Sequence, residues 1–158
     1  LKGPAALRRA VVQSPLLDTG FPLSRIKVAA AHVMAVCWPT FGFQLNLDAG
    51  ALSRDPSVAQ AYRADPLVHN RMTARVYQSI LRTRDEALAK AAAIRPPIML
   101  LCGTGDRIIS VTHALRWYER LTCQKQVRTF PDSYHELHHE AVRDEVITCV
   151  RDWTLADD

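Results

Sequence analysis

The sequence lacks any run approaching the roughly 18 uncharged apolar residues of a membrane helix, so no transmembrane span is expected in it. It lacks a C-x-x-C pair. Its four cysteines, Cys37, Cys102, Cys123 and Cys149, stand far apart, which excludes a zinc knuckle and a thioredoxin-like motif. It lacks a block of like charge: the net charge is +4 and the arginines are scattered. Nucleic acid is therefore not an expected partner. Internal repeats, low-complexity tracts and a signal peptide are missing too. With Cys102 set in an apolar run as a reduced core thiol, a cytoplasmic setting is expected.

What is present is ordinary for a soluble globular chain. It has 158 residues, 48% of them apolar and 23% charged, enough for one domain with a real core.

The run Ala10 to Gln13 is β-prone and stops at Ser14-Pro15, which predicts a buried strand. Ile26, Ala29, Ala30, Val33 and Cys37 recur at helical spacing, with Ser24 as a candidate N-cap and Pro39 as the stop. The stretch from Pro39 to Pro56 reads as loop with exposed-looking apolar residues. Asp55-Pro56 opens a short helix, the proline at its first position, and Asp65-Pro66 marks a second start or turn. From Thr73 to Ile94 the pattern predicts a long helix with Tyr77, Leu81, Leu88 and Ala92 on one side. Ile98 to Cys102 is continuously apolar, as in a strand buried on both faces. An amphipathic helix follows over residues 110–122, then a strand over 125–130. The last helix is expected over 140–155, with Val142, Val146, Val150 and Trp153 inward. Apolar strands alternating with helices imply a parallel sheet. The long helical block between the first two strands reads as an inserted cap.

Residues 135–139, His-Glu-Leu-His-His, spell H-E-x-x-H. That motif binds zinc when both histidines lie one turn apart on a helix and the glutamate activates water. Here Pro131 and Asp132 precede it by too little for a helix to have formed by His135, and His32, His69 and His113 offer no third ligand at a useful spacing. No metal is expected. Gly103-Thr104-Gly105 has no third glycine at the dinucleotide-loop position, so no cofactor is expected either.

Asp106 and His135 each fall just past the end of a predicted parallel strand, where chemistry gathers in open α/β sheets. An acid there can hold a histidine's tautomer while the histidine moves a proton to and from a nucleophile. Taken without any family resemblance, Asp106 reads more readily as a turn cap. The order acid then histidine suits the α/β-hydrolase arrangement.

The segments PPIMLLCGTGDRIIS, RTFPDSYHELHHE and LSRDPSVAQAYRADPLVHNRMTARV resemble the C-terminal part of the monoacylglycerol lipase/lysophospholipase group of α/β hydrolases, and the resemblance spans nearly the whole chain. It implies the C-terminal half of an α/β-hydrolase fold: a core strand over 1–19, a helical lid over 20–72 and a C-terminal α/β core over 73–158. It implies Asp106 as triad acid and His135 as triad base, with His138 and His139 as polar positions at the next helix's start. The lid residues Val33, Met34, Trp38, Phe41 and Phe43 are candidates for lining an acyl pocket, and equally for packing the lid itself.

One part of that pattern is missing. None of the glycines brackets a serine as G-x-S-x-G, and Ser14, before Pro15, lies on no nucleophile elbow. The chain also begins without Met. The expectation is an ester hydrolase of monoacylglycerols or lysophospholipids whose serine and oxyanion hole lie in a missing N-terminal half. The alternative is a non-catalytic lipid- or partner-binding fragment. Peripheral membrane contact through the cap, and self-association through an exposed sheet edge, go with these readings.

Overall fold

The computed structural model describes residues 7–19, 25–45 and 47–156. Ser24, the expected N-cap, and residue 20, the expected start of the lid, lie outside them.

A parallel three-stranded sheet forms the core, ordered β1 (Ala10–Gln13), β4 (Ile98–Gly103), β5 (Lys125–Phe130). β4 is central, pairing Val11 with Met99 on one side and Leu100 with Val127 on the other. Its six residues are all buried. Side chains alternate along a strand, and here both faces are covered. Ile98, Leu100 and Cys102 meet Ala114, Trp117 and Leu121 of the α4 layer (Val111–Arg120). Met99 and Leu101 meet Leu137, Val146 and Trp153 of the α5 layer (Arg143–Leu155). Leu100 and Leu101 are fully buried, each contributing about 1.5–3 kcal/mol by removal from water. The apolar run is thus a strand with no solvent face.

α4 is closed at its end by Lys125, whose Nζ donates to the carbonyls of Tyr118, Glu119 and Leu121 at 2.9, 3.0 and 2.8 Å. A cation there satisfies the last turn's unpaired carbonyls and its negative dipole end.

Between β1 and β4 run α1 (Arg25–Cys37), β2 (Gly42–Gln44), α2 (Pro56–Ala64), β3 (Arg71–Thr73) and α3 (Ala74–Ala89). Asp55 caps α2 by accepting the Ser57 N–H at 2.8 Å, with Pro56 in first position. Asp65 accepts the Leu67 N–H, so Asp65-Pro66 is a turn. α1 packs against α3.

Four expectations need correction. The stretch after Pro39 is not all loop: β2 pairs antiparallel with β3, and a 3₁₀ turn spans Ala49–Ala51. Three-residue strands are too short to show a period. The helix expected to reach Ile94 ends at Ala89, and a 3₁₀ turn, Ala91–Ala93, follows. Ala92 therefore leaves the apolar side and is exposed, while Ala91 is buried in its place. The final helix starts at Arg143, not at residue 140, because Glu140 holds an extended backbone with φ −98° and ψ 167°.

Candidate functional site

Asp106 follows β4 by a tight turn. Its two carboxylate oxygens divide the work. Oδ1 accepts the N–H groups of Ile108 and Ile109 at 2.8 and 3.0 Å. Oδ2 meets His135 Nδ1 at 2.9 Å. The turn cap and the histidine partner, alternatives on sequence grounds, are the same residue. The Asp106 side chain is 0% exposed and that of His135 25%. A carboxylate offers only lone pairs, so Nδ1 carries the proton of a neutral ring and Nε2 keeps a lone pair. Behind the pair lies Cys102. Burial, and the nearby Asp106 charge, push its thiol up to about 12, which makes it a core residue and not a nucleophile.

The segment carrying His135 folds back over the Asp106 turn. Asp132 takes a left-handed φ of 56°, which Asp tolerates better than most residues. Its N–H donates to Thr104 Oγ1 at 2.9 Å. Gly105 N–H donates to the Ser133 carbonyl at 3.0 Å. A Cβ on Gly103 would stand 2.2 Å from the Ser133 oxygen, and one on Gly105 2.7 Å from the Asp132 oxygen. The two glycines let backbone lie on backbone, and neither has positive φ. Arg107 rests its guanidinium 4.5 Å from the Tyr134 ring centre, a cation–π contact on the same segment.

Sequence reasoning missed the supports on the other side. Ser14 has φ 43° and donates its hydroxyl to the His135 carbonyl at 2.9 Å. The Glu136 N–H donates to the Leu52 carbonyl at 2.8 Å. Ser53 Oγ donates to the His139 carbonyl at 2.8 Å. Glu140, its side chain 1% exposed, pairs with Arg54. Burial opposes ionisation of Glu140, but the N–H groups of Arg54 and Tyr134 and the Arg54 guanidinium outweigh it and hold the carboxyl below its usual range. The available signal was the glutamate itself, standing five residues after His135.

His138 and His139 lie in a 3₁₀ turn, Leu137–His139, ahead of α5. His135 is outside that turn, so 135 and 139 do not sit one α-helical turn apart as the zinc motif needs. His139 Nδ1 instead meets Glu136 Oε2 at 2.7 Å. Glu136, His138 and His139 each bring one ligand atom within 4.8 Å of the others, a set that does not include His135.

The acyl-pocket candidates differ in exposure. Val33 and Trp38 are 61% and 59% exposed, Phe41 is exposed, and Met34 and Phe43 are half-buried. Trp38 meets Phe41 at a tilt, and Phe43 meets Tyr77 edge to face. A groove of about 720 Å³ runs along α3 beside His32, lined by Arg75, Arg82, Asp85, Glu86 and Lys90 among others. A second, of about 670 Å³, lies between Arg54–Val58 and His138–Arg143.

The sequence pattern of the serine aminopeptidase S33 family matches residues 1–142. The chain belongs to that family. It is 29% identical over 155 residues to a monoacylglycerol lipase of Mycolicibacterium smegmatis, covering 97% of this chain and 55% of that protein. A Bacillus subtilis phospholipase is 22% identical, with 91% of this chain and 56% of that protein covered. The crystal structure of the Paleococcus ferrophilus monoacylglycerol lipase superposes with a TM-score of 0.88 and 29% identity, over 92% of this chain and 58% of that one. The chain spans about half the length of these two curated relatives. The α/β-hydrolase fold implied by the resemblance, and the likeness to the monoacylglycerol lipase group, both hold for this chain. No helix of its described residues is long and apolar enough to cross a membrane.

Proposed function

We propose that this chain is the acid- and base-bearing part of an ester hydrolase acting on monoacylglycerols or lysophospholipids. The observation that carries the reading is the 2.9 Å contact between His135 Nδ1 and a fully buried Asp106 Oδ2, at the ends of neighbouring parallel strands. In this reading His135 Nε2 takes the proton of a serine as the serine attacks the ester carbonyl. It then gives that proton to the departing alcohol, and repeats the cycle with water to release the acid. Asp106 holds the tautomer and stabilises the imidazolium.

Among the described residues, the buried serines are not the nucleophile of this proposal. Ser14, Ser53 and Ser133 all donate to backbone carbonyls. The serine and the oxyanion donors belong, in this proposal, to a segment preceding these residues. Residues 20–72 form the lid. Four free thiols accord with a cytoplasmic setting. Ile26, Val33, Val36, Trp38 and Phe41 are exposed, and would touch a lipid surface during substrate uptake.

The test compares the 158-residue chain with the same chain joined to a serine-bearing upstream segment. The joined protein is expected to hydrolyse a short-chain p-nitrophenyl ester and to take a fluorophosphonate label. The chain alone should do neither, since the oxyanion donors, often the largest electrostatic contribution, are elsewhere. A joined, folded protein that does neither would favour the non-catalytic binding fragment. Among the described strands β1 pairs with β4 alone, so the isolated chain should self-associate through that edge. A clean monomer in sedimentation at high concentration would count against it.

A further inference from the structure

Glu140 is a nearly buried carboxylate five residues beyond His135, and it plays no part in the proton transfers just described. Its contacts converge on one place. Oε1 accepts the Tyr134 N–H at 3.1 Å and the Arg54 N–H at 2.8 Å. Oε2 accepts Arg54 Nε at 3.1 Å. Tyr134 is the residue before His135. The residue after it, Glu136, is held by the Leu52 carbonyl, and the His135 carbonyl itself by Ser14. Both neighbours of the histidine are therefore tied to the strip Leu52–Arg54, and Glu140 provides one tie while anchoring the strip. A buried charge is costly unless fully hydrogen-bonded. Two apolar side chains of similar volume would fill this space without that cost. A carboxylate here is useful because it accepts from the Tyr134 amide and from Arg54 at once.

We infer that Glu140 is a positioning residue for His135: its carboxylate clamps the Tyr134 amide to the Leu52–Arg54 strip and so sets the angle at which the imidazole meets Asp106. The inference rests on the proposed hydrolase reading for its consequence in turnover, but not for its consequence in geometry. Asp106 is fixed by its own turn through Ile108 and Ile109, so a slack His135 segment moves the ring and leaves the acid in place. The hydrogen bond that selects the tautomer is then weakened from one side only.

Two measurements test this. The first is the ring-nitrogen NMR spectrum of His135 in the 158-residue chain, which reports the tautomer without any need for activity. The wild-type ring should be chiefly the Nδ1–H form. Glu140→Ala should return it to a mixture of tautomers, while Glu140→Gln, which keeps the reach and an acceptor for the amides, should restore most of the Nδ1–H form. A role in stability alone would lower the melting temperature of both variants and leave the tautomer unmoved. Should Glu140→Ala not fold, Glu140→Asp, which keeps the charge but falls short of the Tyr134 amide, is read the same way.

The second measurement is kcat and KM in the chain joined to its serine-bearing segment. Glu140→Ala should lower kcat by an amount on the order of 10²-fold, the scale of a misplacement of about 1 Å, with KM nearly unchanged. A folded Glu140→Ala or Glu140→Asp protein with a wild-type tautomer and wild-type kcat overturns the inference. If instead His135→Ala leaves the joined protein fully active, the hydrolase reading falls, and the tautomer result still decides whether Glu140 sets the ring.

Discussion

Gly103 lies directly beneath the backbone of Ser133: a Cβ placed on the glycine would come within 2.2 Å of the Ser133 oxygen and 2.5 Å of the Tyr134 oxygen. Those atoms belong to the main chain and cannot swing aside as a side-chain end would. Replacing Gly103 with alanine must therefore push the His135 segment off the Asp106 turn. Overpacking of this kind costs about 1–3 kcal/mol. Gly103→Ala should unfold at a lower urea midpoint than wild type, and His135 should lose its Nδ1–H tautomer. An unchanged midpoint would mean that the segment has room to lift.

Loss of the histidine and loss of its acid should differ in kind. In the joined enzyme, His135→Ala should lower kcat by several powers of ten, because the serine loses its base. Asp106→Asn keeps the shape but offers a donor where an acceptor is needed. Its cost should be on the order of 10⁴ if the effect known for serine proteases transfers. His139→Ala should cost little, since its ring pairs with Glu136 and not with Asp106. Equal damage from His139→Ala and His135→Ala, with activity restored by zinc after metal stripping, would restore the literal H-E-x-x-H reading.

Acid should remove a stabilising contribution that Glu140 makes as a carboxylate. Its carboxyl is held below the ordinary value of 4.5 in the folded chain, so the unfolded chain takes up the proton first. The stability it contributes is complete above about 4.5 and is lost as pH falls toward the lower folded value. Between pH 7 and pH 3, the urea midpoint of wild type should fall more steeply than that of Glu140→Gln. Parallel curves would show that the carboxylate is not held down.

The thiols should separate by exposure. Cys37 is exposed, whereas the Cys102 thiol is buried and pushed up to about 12. At pH 8 a disulfide reagent should modify Cys37 within the first phase and Cys102 only after denaturant is added. Early modification of Cys102 in the native chain would contradict its place in the sheet.

Much of the core was legible because burial on two faces leaves an unmistakable mark. Ile98 to Cys102 carries no polar residue, as a strand covered on both faces allows. Asp106 and His135 were legible as strand-end positions once β4 and β5 were. Glu140, Ser14 and the strip Leu52–Arg54 were not. Their roles rest on hydrogen bonds to backbone groups of residues distant in sequence, and a backbone acceptor leaves no trace in residue type. Ser14 in particular reads in sequence only as part of a strand stop, and as no nucleophile on an elbow. The β2–β3 ribbon escaped for a different reason: three residues on each strand are held by the neighbouring register, not by a pattern of their own.

The ties that aim His135 also carry a consequence for the order in which the chain folds. Asp106 and His135 are 29 residues apart, a span bridged by one helix and one strand. The bonds from Arg54 to Glu140 and from Ser14 to His135 close spans of 86 and 121 residues. Contacts that close longer loops bear a larger entropic cost and arrive after local ones. The β4–α4–β5 unit can thus bring acid and base within reach before β1 and the Leu52–Arg54 strip have docked. The pair would then exist first as a loose encounter, its angle set only when the most distant parts of the chain close over it. In a pulse-labelling experiment, amides of β4 and β5 should gain protection ahead of the Tyr134 and Glu136 amides.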